Sequence, residues 1–77
     1  MHLLLLPKHH LAGLAEATAA DESILGYLQL KAAEVARLKN LGSGYRTVLN
    51  VGPDAGQSVF HLHLHLLGGR SLAWPPG

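Results

Sequence analysis

The 77-residue chain contains no cysteine. Disulfide staples and thiolate–metal sites are therefore excluded as sources of stability or chemistry. It has little charge, 14% Asp, Glu, Lys and Arg, with six basic residues set against five acidic ones. The basic residues form no cluster, and nucleic-acid surfaces normally announce themselves as basic patches, so polyanion binding has no support here. Long hydrophobic runs are missing as well. The opening HLLLL is far shorter than a membrane span and lacks the basic flank and cleavage pattern of a signal peptide. No membrane partner is implied, and a cytoplasmic setting is the expectation, with organellar targeting upstream of Met1 left open. A chain of this size supports a single domain with a thin core, so a second subunit or further chain is expected to supply some of its stability.

The ordinary globular composition that remains, 48% hydrophobic, is patterned in a readable order. Residues 2–6 form a continuous apolar run stopped by Pro7, as expected of a strand buried on both faces. Lys8-His9-His10 is a polar exit, and residues 11–17 are a connection containing Gly13. Thr18-Ala19-Ala20-Asp21 has the spacing of a capping box, which predicts a helix start at Thr18. Ile24, Leu25, Leu28, Ala32, Val35 and Leu38 recur at helical steps and make an apolar face. Arg37 and Lys39 suit the negative end of the helix dipole, and Asn40-Leu41-Gly42 is a stop. Residues 45–51 are β-branched and aromatic, residues 52–56 are a turn cluster, and residues 57–67 read as a long strand pairing back as a hairpin. Gly68-Gly69 ends that strand, and the two adjacent prolines near the terminus make residues 68–77 an irregular tail. The order predicts an α+β fold, an antiparallel sheet with one main helix packed on a face, in one domain spanning residues 1–77.

Three of the six histidines fall in FHLHLHLL, residues 60–67. Strand side chains alternate, so Phe60, Leu62, Leu64 and Leu66 are expected in the core, and His61, His63 and His65 on the opposite face about 6.5–7 Å apart. A plain solvent face is one explanation of the row. A zinc site is another, with a His-x-His pair supplying two ligands and His2 or His10 a third. An extended row cannot easily converge three imidazoles on one ion, and no acidic residue lies near it in sequence. The third explanation is nucleophilic catalysis at phosphorus, since neutral imidazole titrates near working pH and attacks phosphorus readily. Such a site needs donors for phosphate oxygens. Gly56, Gln57 and Ser58 supply backbone N–H groups, an amide and a hydroxyl, and Asn50 a second amide.

The run HLHLHLL is the His-φ-His-φ-His-φ-φ signature, φ being hydrophobic, and it resembles the histidine triad superfamily. The wider stretch GYRTVLNVGPDAGQSVFHLHLHLLGGR with its terminal WPPG resembles the histidine triad nucleotide-binding branch, as do HLLLLPKHH and DESILGYL. The resemblance covers essentially the whole chain. It implies hydrolysis of purine nucleoside phosphoramidates through a covalent nucleotidyl-histidine, without metal or other cofactor. His63 corresponds to the nucleophile. His65 corresponds to the residue on the phosphate and leaving-group side, and His61 and His2 to a hydrogen-bond network that orients His63. Asn50, Gly56, Gln57 and Ser58 match phosphate-holding positions. Trp74 matches a tail residue that reaches the neighbouring subunit's site in a two-fold homodimer. The family's domain also has an upstream segment that lines the nucleoside pocket and holds the ribose hydroxyls with an acidic residue. Met1 stands directly before what matches an internal strand, so base and ribose recognition are expected to be missing. That leaves an alternative expectation, a nucleotide-binding or interaction dimer with little catalysis.

Overall fold

A computed structural model describes residues 1–77. Its elements are strand β1 (His2–Leu5), helix α1 (Glu22–Leu38), strand β2 (Tyr45–Val48) and strand β3 (Leu64–Gly68), with short 3-10 turns at Leu14–Glu16, Ala19–Asp21 and Pro53–Ala55. The three strands form one antiparallel sheet in the order β1-β3-β2, so β3 is paired on both sides. This is the expected α+β arrangement, and β2 and β3 pair as expected.

The helix boundaries follow local chemistry. Thr18 N–H donates to Asp21 Oδ2 at 2.9 Å, and Ala20 N–H donates to Thr18 Oγ1 at 3.3 Å. The capping box therefore forms where the spacing places it, but its first turn is 3-10 and the α-helix proper begins at Glu22. At the other end Asn40 adopts φ 58°, and Leu41 N–H reaches back to Ala36 O at 2.8 Å. Asparagine tolerates this left-handed position better than most residues, and the back-bond satisfies a carbonyl that the helix leaves unpaired. Leu41 is itself buried, which locks the turn against the sheet.

The core lies between α1 and one face of the sheet. Leu28, Ala32 and Ala36 recur every four residues along the helix and are buried. Leu11, Leu28, Ala32, Leu62 and Leu64 make one cluster, with Leu5, Leu25 and Leu49 against it. Leu66, on β3 between both neighbours, is 0% exposed. Small residues at 32 and 36 let the helix sit close to the sheet, where a wider stripe would hold it off. At Gly68 a Cβ would come within 2.9 Å of Leu41 Cδ1, so the glycine makes room for the leucine that closes the helix.

Four sequence expectations are corrected. β1 is an edge strand with alternating exposed and half-buried residues, not one buried on both faces, because it pairs only with β3 and one sheet face has no layer over it. Leu4 is 54% exposed on that open face. Leu38 is 74% exposed, since the buried stripe follows the four-residue row through Ala36 and Leu38 stands about 160° round the helix from it. The strands of the hairpin are also shorter than expected. β2 ends at Val48 and β3 starts at Leu64, because the turns around Gly52 and Gly56 carry the chain out of the sheet. Phe60, expected in the core, accordingly sits in a segment without ladder bonds and is 64% exposed. The burial alternation nonetheless persists from His61 through Gly68.

Truncation separates these two kinds of position. Leu66→Ala is expected to cost about 2–5 kcal/mol, whereas Phe60→Ala should stay within about 0.5 kcal/mol of the parent. Denaturant unfolding of the three chains measures both, and comparable losses for the two variants would contradict the observed packing.

Candidate active site

Residues directly opposite one another in an antiparallel sheet share a face. The register pairs His2 and Arg46 with Leu67, and Leu4 and Val48 with His65. All six therefore lie on the sheet face away from α1. The leucines that anchor β3 in the core and the histidines that face out are thus fixed by one alternation.

His63 stands just before β3, with its Nδ1 2.8 Å from the main-chain oxygen of His61. A carbonyl only accepts, so Nδ1 carries the proton and Nε2 keeps a free lone pair. The His61 ring donates from Nε2 to Pro7 O at 3.1 Å, by the same reasoning. Its contribution to the orientation of His63 is thus its own main-chain oxygen, while its ring fastens the segment to the end of β1. His2 contacts a different member of the row than expected: its Nε2 lies 2.8 Å from His65 Nδ1, and the two ring centroids are 5.0 Å apart. One of those two nitrogens must donate and the other accept. The His63 and His65 rings meet edge to face at 5.0 Å.

Asn50 Nδ2 is 3.5 Å from His65 Nε2, at the outer limit of a hydrogen bond. The structure therefore gathers His2, His63, His65 and Asn50 into one cluster. Burial holds the His65 imidazole below the ordinary histidine range, and the neighbouring His63 and His2 charges push it the same way. His65 is thereby kept neutral beside its neighbours at neutral pH.

The loop expected to hold phosphate is placed less uniformly. Gly56 adopts φ 82°, and its N–H closes the turn onto Pro53 O at 3.0 Å. The Gln57 carboxamide is engaged at both ends, accepting from Gly52 N–H at 2.8 Å and donating to Ala12 O at 3.4 Å. Its main-chain N–H donates to Gly52 O at 3.1 Å. Ser58 is exposed, and its N–H makes no main-chain hydrogen bond. Of the three loop residues, Ser58 alone has a main-chain N–H without a main-chain partner, while Gln57 Nε2 keeps one hydrogen beyond its bond to Ala12 O.

Trp74 is 79% exposed and lies with its ring centroid 5.9 Å from the Arg46 guanidinium carbon. Arg46 Nη2 also donates to Ala73 O at 3.0 Å, which ties the tail to β2 of its own chain. A hollow of ≈ 320 Å³ lies between Val48, Leu67 and this tail. The larger hollow, ≈ 670 Å³, opens at the far end of the sheet between residues 40–46 and 69–72, and neither hollow is lined by a histidine.

His10, weighed above only as a possible zinc ligand, is exposed and its ring meets His61 edge-on at 5.3 Å. Sequence reasoning missed the Pro7 and Ala12 carbonyls, which leave no mark in residue type. No three or more His, Cys, Asp or Glu side chains gather as a metal-binding group.

This geometry belongs to a known class. Residues 1–72 match the HIT domain family, and the chain is a member of it. It is 56% identical over its full length to an uncharacterized HIT-like protein of Synechococcus elongatus, spanning 68% of that protein. It is 51% identical, over 99% of its length and 61% of the relative's, to a maize protein named 14 kDa zinc-binding protein. Among solved structures, a HIT family hydrolase from Legionella pneumophila superposes with TM-score 0.95 at 44% identity, over 99% of this chain and 69% of that one. A histidine triad protein from Clostridium difficile superposes with TM-score 0.89 at 33% identity, over 94% of this chain and 64% of that one.

The depressed His65 value fixes a pH dependence. With its folded value below the ordinary 6.5, the unfolded chain binds the proton more readily, so stability is full above 6.5 and falls as pH drops through the window beneath it. Denaturant midpoints at pH 7.5 and pH 5.5 should therefore differ more in the parent than in His65→Gln. An equal drop in both would contradict the assignment.

Proposed function

We propose that the chain hydrolyses nucleotidyl substrates of the phosphoramidate class by covalent catalysis at His63. The observation that carries this reading is the 2.8 Å contact between His63 Nδ1 and His61 O, which leaves Nε2 as a free and oriented nucleophile. In the first step Nε2 forms a bond to phosphorus, and the P–N bond to the amine breaks. The amine leaves with one proton delivered from the His65 side of the cluster. In the second step water attacks the phosphorus of the His63 adduct, gives one proton back to the His65 side of the cluster, leaves its oxygen on the nucleotide, and the bond from phosphorus to His63 Nε2 breaks. Ser58 N–H and Oγ, with the Asn50 amide, are the donors available to the phosphate oxygens.

The resemblance to HIT family hydrolases supports the reaction type, and the engaged ring of His61 supports a positioning role for that residue. The His2–His65 contact couples the leaving-group side to a second imidazole, so that a proton supplied there can be replaced without a charged residue. The maize relative's name attaches zinc to that protein. In this chain no group of three or more His, Cys, Asp or Glu side chains is arranged to hold a metal ion, and no zinc-dependent step is derived. Dimerisation is part of the same proposal. Tyr27, Leu30 and Leu38 stand exposed on the outer side of α1, apolar surface that a second copy would cover.

Incubation with an adenosine phosphoramidate should release AMP, and His63→Ala should reduce turnover by at least about a thousandfold, the scale of losing a covalent nucleophile. Rapid quenching should also trap a nucleotidyl adduct on His63 in the parent chain. Unimpaired turnover by His63→Ala would sink the mechanism, and nucleotide binding without any AMP release would favour a binding module instead.

A further inference from the structure

The span 57–63 carries the phosphate-side donor Ser58 and the nucleophile His63, yet it makes no strand ladder of its own. Something else must set the distance between them. Its main-chain hydrogen bonds within the chain are few. Leu62 N–H donates to Leu11 O at 2.6 Å, and Gln57 N–H to Gly52 O at 3.1 Å. The Gln57 side chain adds two more, to Gly52 N–H at 2.8 Å and to Ala12 O at 3.4 Å. Adjacent carbonyls of one connection, Leu11 and Ala12, thus receive the two ends of the span. Leu11 is buried in the main cluster, so this anchor is part of the core and not a loose loop.

Gly13 completes the picture. Its φ of −179° is extended backbone that any residue adopts, so conformational freedom does not explain a glycine there. Space does. A Cβ at position 13 would lie 2.7 Å from Gln57 Nε2 and 3.0 Å from Glu16 Oε1. The room left by the missing side chain is the room the carboxamide uses.

We infer that Gln57 is not a phosphate ligand but a positioning residue: with Gly13 it bolts the Gly52–Gln57 turn to the Leu11–Ala12 carbonyls and so sets the spacing between Ser58 and His63. Its carboxamide oxygen and one of its two amide hydrogens hold the loop, so turning the group toward a ligand would break those bonds. For catalysis the inference rests on the reading of His63 as nucleophile, where small misplacements of the reacting groups cost rate more than binding. Gln57→Leu keeps the shape and removes both side-chain bonds. Gly13→Val attacks the same contact from the opposite side, with a branched group that a small rotation of Gln57 cannot accommodate.

Two measurements on the full chain test this. In amide hydrogen exchange, both variants should lose protection at Gly52 N–H by about tenfold or more while β3 amides keep theirs; retained protection at Gly52 overturns the inference whatever the enzyme does. In turnover of an adenosine phosphoramidate, both variants should lose about tenfold or more in kcat with AMP affinity changed by less than about threefold, and the double variant should be no worse than the poorer single one. A matched loss of AMP affinity in Gln57→Leu, with Gly13→Val unaffected, would restore Gln57 as a ligand. Additive losses in the double variant would also overturn the shared contact. If the parent shows no turnover, the reaction assigned to His63 fails while the exchange result still decides the strut.

Discussion

The position of β3 between two partners is the constraint on which the rest depends. Pairing with β1 and β2 fixes its register on both sides, and a one-residue slip would exchange the faces of every side chain on it. Leu64 and Leu66 enter the core only in this register, and His65 and Leu67 face outward only because those leucines face in. The hydrophobic free energy of the core therefore also aims the imidazoles. A site built this way does not depend on loop geometry for its direction, only for its spacing.

The imidazoles then divide the work by what they touch. His63 and His61 are bonded to main-chain carbonyls, which cannot change protonation, so their tautomers are set by the backbone. His2 and His65 are bonded to each other, where a proton has two places to sit. The first pair is suited to holding a lone pair in one place, and the second to passing a proton. Burial and the two neighbouring imidazoles keep His65 below its ordinary range, which favours the neutral, exchangeable form. The open face around them carries Leu4, Val48 and Leu67, an apolar surface beside the cluster, with Arg46 next to Leu67.

Much of this was legible in the sequence wherever the signal was local. The capping box at Thr18 and Asp21, the stop at Asn40, the pairing of β2 with β3 and the outward histidine row each depend on a few consecutive residues and a known period. Phe60 was misplaced because its burial depends on what lies across from it, and periodicity carries no information about where a strand loses its partner. β1 was misjudged for the same reason: four leucines in a row describe a strand but not how many layers cover it. The roles of Pro7 O, Leu11 O and Ala12 O were invisible because a main-chain carbonyl is present at every residue. Gln57 illustrates the difference most sharply, since residue type suggested a ligand and only the contacts at both ends of its side chain show a strut.

The central claim is that the His61 main-chain oxygen selects the tautomer of His63 and leaves Nε2 free. Nitrogen-15 NMR of the imidazole rings measures this directly at neutral pH. The account predicts a protonated Nδ1 and an unprotonated Nε2 at His63. A dominant Nε2–H tautomer there would contradict it.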